Sequence, residues 1–241
     1  MNSQIYKQLL LQIKFWGGRH HGESIKNYLK RGIGSRISTL GELFNLPSLT
    51  YNPWHFEHFE RLARGAAPGT VDAITQCYPE IRSVADVGCG SGDFALEFKR
   101  RGLRVQACEH SPFGRKSAQK KGVDCFSFDL FRVPPSALTG KFDVAFCFEV
   151  AEHIPFSRGD FLVRYLASLA DRIIFTAATP GQGGTGHINE QPRQYWIDLF
   201  FENGMKIDNE TTIRLSALLR AMLKGRSPWL WNNCFVFDKS E

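Results

Sequence analysis

The chain has 241 residues, 43% of them hydrophobic and 22% charged, with a net charge of +6. That composition excludes a disordered or collagen-like protein, and the length allows one α/β domain with an appendage and a sizeable core. The charge is uneven: Lys7, Lys14, Arg19, Lys26, Lys30, Arg31 and Arg36 face only Glu23 and Glu42 in residues 1–50, so five of the six net positive charges fall there.

No apolar run reaches transmembrane length, and Lys7, Gln12 and Lys14 interrupt the N-terminus. Neither a membrane span nor a secretory signal is expected, and the expected location is the cytoplasm. The six cysteines (77, 89, 108, 125, 147 and 234) contain no C-x-x-C pair and read as small buried hydrophobes in a reducing compartment.

Ile5, Leu9, Ile13 and Trp16 recur at helical spacing until Gly17-Gly18. A second apolar face, Ile25, Tyr28 and Leu29, stops near Gly32, and Thr39-x-x-Glu42 predicts a capping box for a brief third helix closed by Pro47. Residues 1–51 are therefore expected to form a helical cap. Its basic charge suits an anionic substrate, a membrane surface or nucleic acid, or is a solvated face. Asn52-Pro53 predicts the N-cap and first position of a helix running to about Arg64, before Gly65, with a separate helix around 70–77.

Residues 83–96 organise the rest of the chain. A β-branched run turns through Gly88, Gly90 and Gly92 and resumes as an apolar helical pattern with Phe94, Leu96 and Phe98. A strand, a glycine turn and a helix form the first unit of a doubly wound α/β fold, whose ligand crevice lies at the strand's carboxyl end. The dinucleotide spacing Gly-x-Gly-x-x-Gly fails, because counted from Gly88 its third glycine falls on Asp93, and a carboxylate there repels a phosphate.

A second strand, 103–109, ends in Glu109, 21 residues beyond Gly88, where such folds place the carboxylate that accepts ribose hydroxyls. Ser111-Pro112 starts a helix ending near Gly122, and strand 123–128 leads to Asp129-Leu130. The most continuous apolar run, 142–148, reads as a central strand buried on both faces and ends in Glu149-Val150-Ala151-Glu152-His153. A helix at 160–170 and a strand at 172–177 precede a loop, 181–191, with Gly181, Gly183, Gly184 and Gly186. That loop is expected to hang over the crevice as a lid, with too little side-chain packing to hold one conformation. Tyr195, Trp196, Leu199 and Phe200 have helical spacing and read as core packing, and 205–213 and 231–237 as the last two strands.

Asp86-x-Gly88-x-Gly90-x-Gly92 resembles the first motif of the class I S-adenosylmethionine-dependent methyltransferases, and the order of elements extends the resemblance over roughly residues 52–241. It implies a Rossmann-like α/β fold with a seven-stranded, mostly parallel sheet, helices on both faces and a hairpin-like antiparallel edge, behind the N-terminal cap of 1–51. It also implies S-adenosylmethionine as cofactor, bound by Asp86, Gly88, Gly90, Gly92, Glu109, Asp129, Leu130 and Phe148. Nitrogen methyltransferases of this class often carry an Asn/Asp-Pro-Pro-Tyr/Phe motif after the fourth strand. Here that place holds residues 148–153, Phe-Glu-Val-Ala-Glu-His, which favours an oxygen acceptor.

Glu149, Glu152 and His153 stand at i, i+3 and i+4 and share a face if the segment turns helically. With His187 in the glycine loop, the pattern E-x-x-E-H…H resembles ubiquinone-pathway catechol-type O-methyltransferases and small-RNA 2′-O-methyltransferases. In those groups two Glu and two His hold a divalent cation. The resemblance implies that Glu149, Glu152, His153 and His187 are catalytic and metal-ligating, and the donor set suits Mg²⁺, Mn²⁺, Fe²⁺, Co²⁺ or Zn²⁺ without choosing among them. His153 as a metal-free base, and a purely structural role, stay open on the sequence. The expected function is O-methyl transfer to a hydroxyl of a small molecule or glycan. RNA 2′-O-methylation and a non-catalytic cofactor-binding scaffold are the alternatives, although no recognised RNA-binding module or dense basic stripe is present.

Overall fold

The structure, a computed structural model, describes residues 53–129, 138 and 140–240. The predicted cap at 1–51, Asn52 and Leu130 lie outside them. Helix α1 (Pro53–Cys77) precedes β1 (Ser83–Val87), α2 (Asp93–Arg100), β2 (Arg104–Glu109), α3 (Pro112–Lys120) and β3 (Cys125–Ser127). Next come β4 (Val144–Phe148), two 3₁₀ turns (Ala151–His153 and Phe156–Arg158), α4 (Gly159–Leu169) and β5 (Arg172–Thr176). The chain closes with α5 (Arg193–Glu202), β6 (Met205–Ile207), α6 (Asn209–Leu223), α7 (Trp229–Asn232) and β7 (Cys234–Lys239).

The seven strands form one sheet in the order β3-β2-β1-β4-β5-β7-β6. β1 to β5 pair in parallel, and β7 runs antiparallel to both β5 and β6. Alternate strand residues feed two cores, one on each face, as the period of a strand requires. Ala85, Val87, Ala145, Cys147, Ile173 and Phe175 pack toward α4 and α5. Val84, Val144, Phe146, Ile174 and Val236 pack toward α1, α2, α3 and α6. Burial on both faces explains why β4 and β5 read as continuous apolar runs. All six cysteines are free, and five of them are buried.

Two predicted elements take another form. The two helices expected before β1 are one, because α1 continues through Gly65, Pro68 and Gly69. Tertiary packing overrides the breakers: Ala66, Ala67, Val71, Ala73 and Ile74 are buried. At Gly69 a Cβ would lie 3.2 Å from Leu223 Cδ2 of α6, so the missing side chain lets the two helices approach. The strand expected at 205–213 stops at Ile207, and α6 follows. The Asp208 side chain caps α6 by accepting from the Thr211 N–H at 2.9 Å, and Leu215, Leu219 and Leu223 bury one helical face. β6 and β7 are therefore linked by helices and are not a hairpin.

Candidate active site

From β1 the chain moves outward to β2 and β3, then returns to β4 on the other side of β1. The crevice lies at the carboxyl ends of β1 and β4, where the order reverses. Gly88, Gly90 and Gly92 all have positive φ, at 79°, 54° and 76°. Their surroundings differ. A Cβ at Gly88 would overlap Val150 Cγ2, and one at Gly92 would sit 2.7 Å from Ala118 Cβ of α3, whereas one at Gly90 would meet nothing within 4 Å. Gly88 and Gly92 thus permit close packing within the protein, and Gly90 leaves open space beside it.

Backbone bonds fix this turn. The Gly88 and Cys89 N–H groups both donate to the Cys108 carbonyl (2.9 and 3.0 Å), and the Gly92 N–H donates to the Cys89 carbonyl (2.8 Å). Asp93, buried at the start of α2, accepts from Ser91 Oγ at 2.6 Å and from Lys121 Nζ at 2.8 Å. A paired carboxylate therefore occupies the helix N-terminus at which a dinucleotide fold seats its pyrophosphate.

Glu109 ends β2 almost fully buried. Its Oε2 accepts from the Gly90 N–H at 2.8 Å and its Oε1 from the Ser111 N–H at 2.7 Å, so each oxygen keeps a further lone pair. Burial pushes its pKa up, and those two backbone donors partly offset the shift. Asp86 is buried beneath the start of α2, and its Oδ2 has no partner among the described residues. Burial, with Cys125 and Glu109 nearby, holds its pKa well above the usual carboxylate range. Phe148 ends β4 and meets the Phe94 ring edge-on at 5.4 Å. Asp129 follows β3, half-buried.

After β4 the backbone bends before it turns. Glu149 has φ 52°, a left-handed conformation held by its N–H, which donates to Thr176 Oγ1 (2.9 Å) and the Thr176 carbonyl (3.2 Å) at the end of β5. The first 3₁₀ turn begins only at Ala151, so Glu149 does not share a helical face with Glu152 and His153. Its carboxylate instead accepts from Asn233 Nδ2 (3.1 Å) and Gln182 Nε2 (3.4 Å).

Glu152, His153 and His187 converge, each offering one ligand atom within 4.8 Å of the others. Glu152 is fully buried, and neither carboxylate oxygen has a well-formed hydrogen bond among the described residues. Burial first, and the neighbouring Glu149 carboxylate second, push its pKa well above the usual range. The two imidazoles meet edge-on with centroids 4.9 Å apart. His153 Nδ1 lies 3.1 Å from the Gly186 carbonyl, and His187 Nδ1 lies 2.8 Å from Glu190 Oε1. Carbonyl and carboxylate oxygens only accept, so Nδ1 carries the hydrogen in both rings and each Nε2 carries the lone pair in the neutral imidazole.

Sequence reasoning missed the residues that hold this arrangement. Glu190 anchors the glycine loop by accepting from the Gly181 N–H (2.8 Å) and the Gly183 N–H (2.7 Å). The hydrogen bond from His187, followed by these amides, lowers the Glu190 pKa. Buried Asn189 donates from Nδ2 to the Ala151 carbonyl at 3.1 Å, while the Ile188 and Asn189 N–H groups donate to the Glu152 carbonyl. The loop and the 151–153 turn are thereby one unit. Glu190, three residues after His187, carried a local signal; Asn233, 84 residues from Glu149, carried none.

A seven-stranded sheet in this order, with a glycine turn after β1 and an acid closing β2, is the architecture of the class I S-adenosylmethionine-dependent methyltransferases. Residues 41–215 match the family described as "Methyltransferase domain", and the chain belongs to that family. It is 30% identical over 101 residues to the magnesium-protoporphyrin O-methyltransferase of Synechocystis sp., covering 40% of this chain and 44% of that protein. It is 29% identical over 138 residues to the ubiquinone biosynthesis O-methyltransferase of Psychrobacter cryohalolentis, covering 53% of this chain and 50% of that one. The chain spans only 33% to 50% of the lengths of the curated relatives it matches. The plantazolicin methyltransferase BamL, solved with a desmethyl analogue and SAH, shares the fold with a TM-score of 0.57 at 14% identity, covering 89% of this chain and 99% of that one. No described helix is long and apolar enough to cross a membrane.

Proposed function

We propose that this protein transfers the methyl group of S-adenosylmethionine to a hydroxyl oxygen of a small molecule or sugar, with Glu149, Glu152, His153 and His187 acting on the acceptor. The observation that carries the proposal is the Glu152 carboxylate, fully buried and without a well-formed hydrogen bond among the described residues, beside two imidazoles at the carboxyl end of β4. A buried carboxylate needs a cation or a proton to compensate it. Two imidazoles with Nδ1 already committed fit a divalent cation held by Glu152, His153 and His187, with Glu149 beside them. Such an ion supplies Lewis acidity that lowers the pKa of a hydroxyl.

The chain's own residues do the rest. The 88–92 turn and Glu109 orient the cofactor, with the spare lone pairs of Glu109 taking the ribose hydroxyls. Asp86, Asp129 and Phe148 complete that side of the site. Methyl transfer is an in-line displacement, so rate comes largely from holding donor and acceptor in register. The pattern shared with ubiquinone-pathway and small-RNA 2′-O-methyltransferases supports the cation, and the relatives named as O-methyltransferases support oxygen as acceptor. Within this reading the catalytic domain is 52–241, and residues 1–51 are a separate N-terminal region.

Incubation with labelled S-adenosylmethionine and cell extract, with products identified by mass, tests the proposal. The expected product carries the label on a hydroxyl oxygen of a small molecule or glycan. EDTA should abolish transfer and an added divalent ion restore it. Label on RNA or on nitrogen overturns the acceptor class. Full activity in EDTA overturns the cation, and a loss of about 10²–10⁴ in rate for His153→Ala then marks a metal-free base. Undiminished activity in both His153→Ala and His187→Ala removes the whole constellation.

A further inference from the structure

The Glu190 carboxylate gathers three donors. Its Oε2 accepts from the Gly181 N–H at 2.8 Å, and its Oε1 accepts from the Gly183 N–H at 2.7 Å and from His187 Nδ1 at 2.8 Å. On the other side of the ring Gly184 packs directly against it, since a Cβ there would overlap His187 Nε2. The same turn delivers the Gly186 carbonyl to His153 Nδ1. We infer that Glu190 is a positioning residue, whose carboxylate holds His187 in its Nδ1–H form and folds the 181–186 turn that orients both histidines.

The chemical reason lies in the imidazole. A histidine without a partner favours hydrogen on Nε2, which would aim a donor where the site needs a lone pair. An acceptor at Nδ1 reverses that preference and raises the basicity of Nε2. Because one carboxylate also binds the two loop amides, the geometry of the turn and the tautomer of His187 are set together. The inference rests on the proposed role of His187 toward the cation, and its test is built to fail separately from that role.

Full-length protein labelled with ¹⁵N at histidine, kept in EDTA, is compared with Glu190→Ala and Glu190→Gln by imidazole NMR at a pH where His187 is neutral. The wild type should show His187 protonated at Nδ1. Glu190→Ala should move the hydrogen to Nε2, and Glu190→Gln, whose amide oxygen still accepts, should largely restore Nδ1–H. Calorimetry with Mn²⁺ alone should then show affinity about 10–100-fold weaker in Glu190→Ala than in wild type. His187 protonated at Nε2 in the wild type, or the same tautomer in wild type and Glu190→Ala with circular dichroism unchanged, overturns the inference. If Glu190→Ala fails to fold, the wild-type tautomer and Glu190→Gln decide it. A wild type that binds no Mn²⁺ but shows the expected tautomers counts against the cation and supports the positioning role.

Discussion

Gly88, Gly90 and Gly92 share a left-handed backbone but not a reason for it. Any side chain at such a φ is strained by about 1–2 kcal/mol. At Gly88 the overlap with Val150 adds to that strain, so Gly88→Ala should destabilise the fold by about 2–4 kcal/mol in denaturant unfolding. Gly90→Leu projects into open space and should lose only the strain energy, yet abolish saturable S-adenosylmethionine binding in calorimetry. Equal stability losses at the two positions, or cofactor binding retained in Gly90→Leu, would contradict this division. The glycine pattern itself was legible in the sequence. Which glycine has open space beside it was not, because Val150 and Ala118 come from other parts of the chain.

Between elements, Asp143 clasps β1 to β4 at the end of the sheet opposite the crevice. Its Oδ2 accepts from the Arg82 N–H (2.7 Å), the Ser83 N–H (2.8 Å) and Ser83 Oγ (3.0 Å). These bonds, the Arg82 amide foremost, hold its carboxyl below the usual carboxylate range. A lowered folded-state pKa adds stability above the unfolded value of about 3.9, and that stability is lost as pH falls through the folded value. Asp143→Asn should therefore destabilise the protein at pH 7 by about 1 kcal/mol, a small figure because the group is largely exposed and screened. The gap in unfolding free energy between wild type and variant should shrink below about pH 4. A gap independent of pH would assign the effect to shape instead of charge.

Across the molecule as a whole, β7 is the last strand made but lies inside the sheet, between β5 and β6. Phe235 and Phe237 are buried on it, and Phe237 stacks on Phe200 of α5 with centroids 3.9 Å apart. Phe237→Ala should cost about 3–5 kcal/mol, read as a lower denaturant midpoint with an unchanged slope. Asn233 immediately precedes this strand and reaches Glu149, so closing the sheet also completes the site. The variant should consequently lose transfer activity in parallel with the folded fraction, and activity lost while the midpoint holds would separate the two.

Local pattern was enough to set the alternation of strands and helices, the glycine turn, and the acids closing β2 and following β4. These are written in period and spacing along the chain, and a run such as Phe146-Cys147-Phe148 has few other ways to satisfy its backbone and bury its side chains. Tertiary packing settled the rest. Neighbouring α6 made one helix of α1 despite Pro68, and the bonds from the Glu149 N–H to Thr176 broke the helical register its spacing predicted. Asn233, Gln182 and Glu190 joined the site because a folded sheet brings carboxyl ends, loops and a final strand to one crevice. Their hydrogen bonds depend on distance in space, which separation along the chain does not encode.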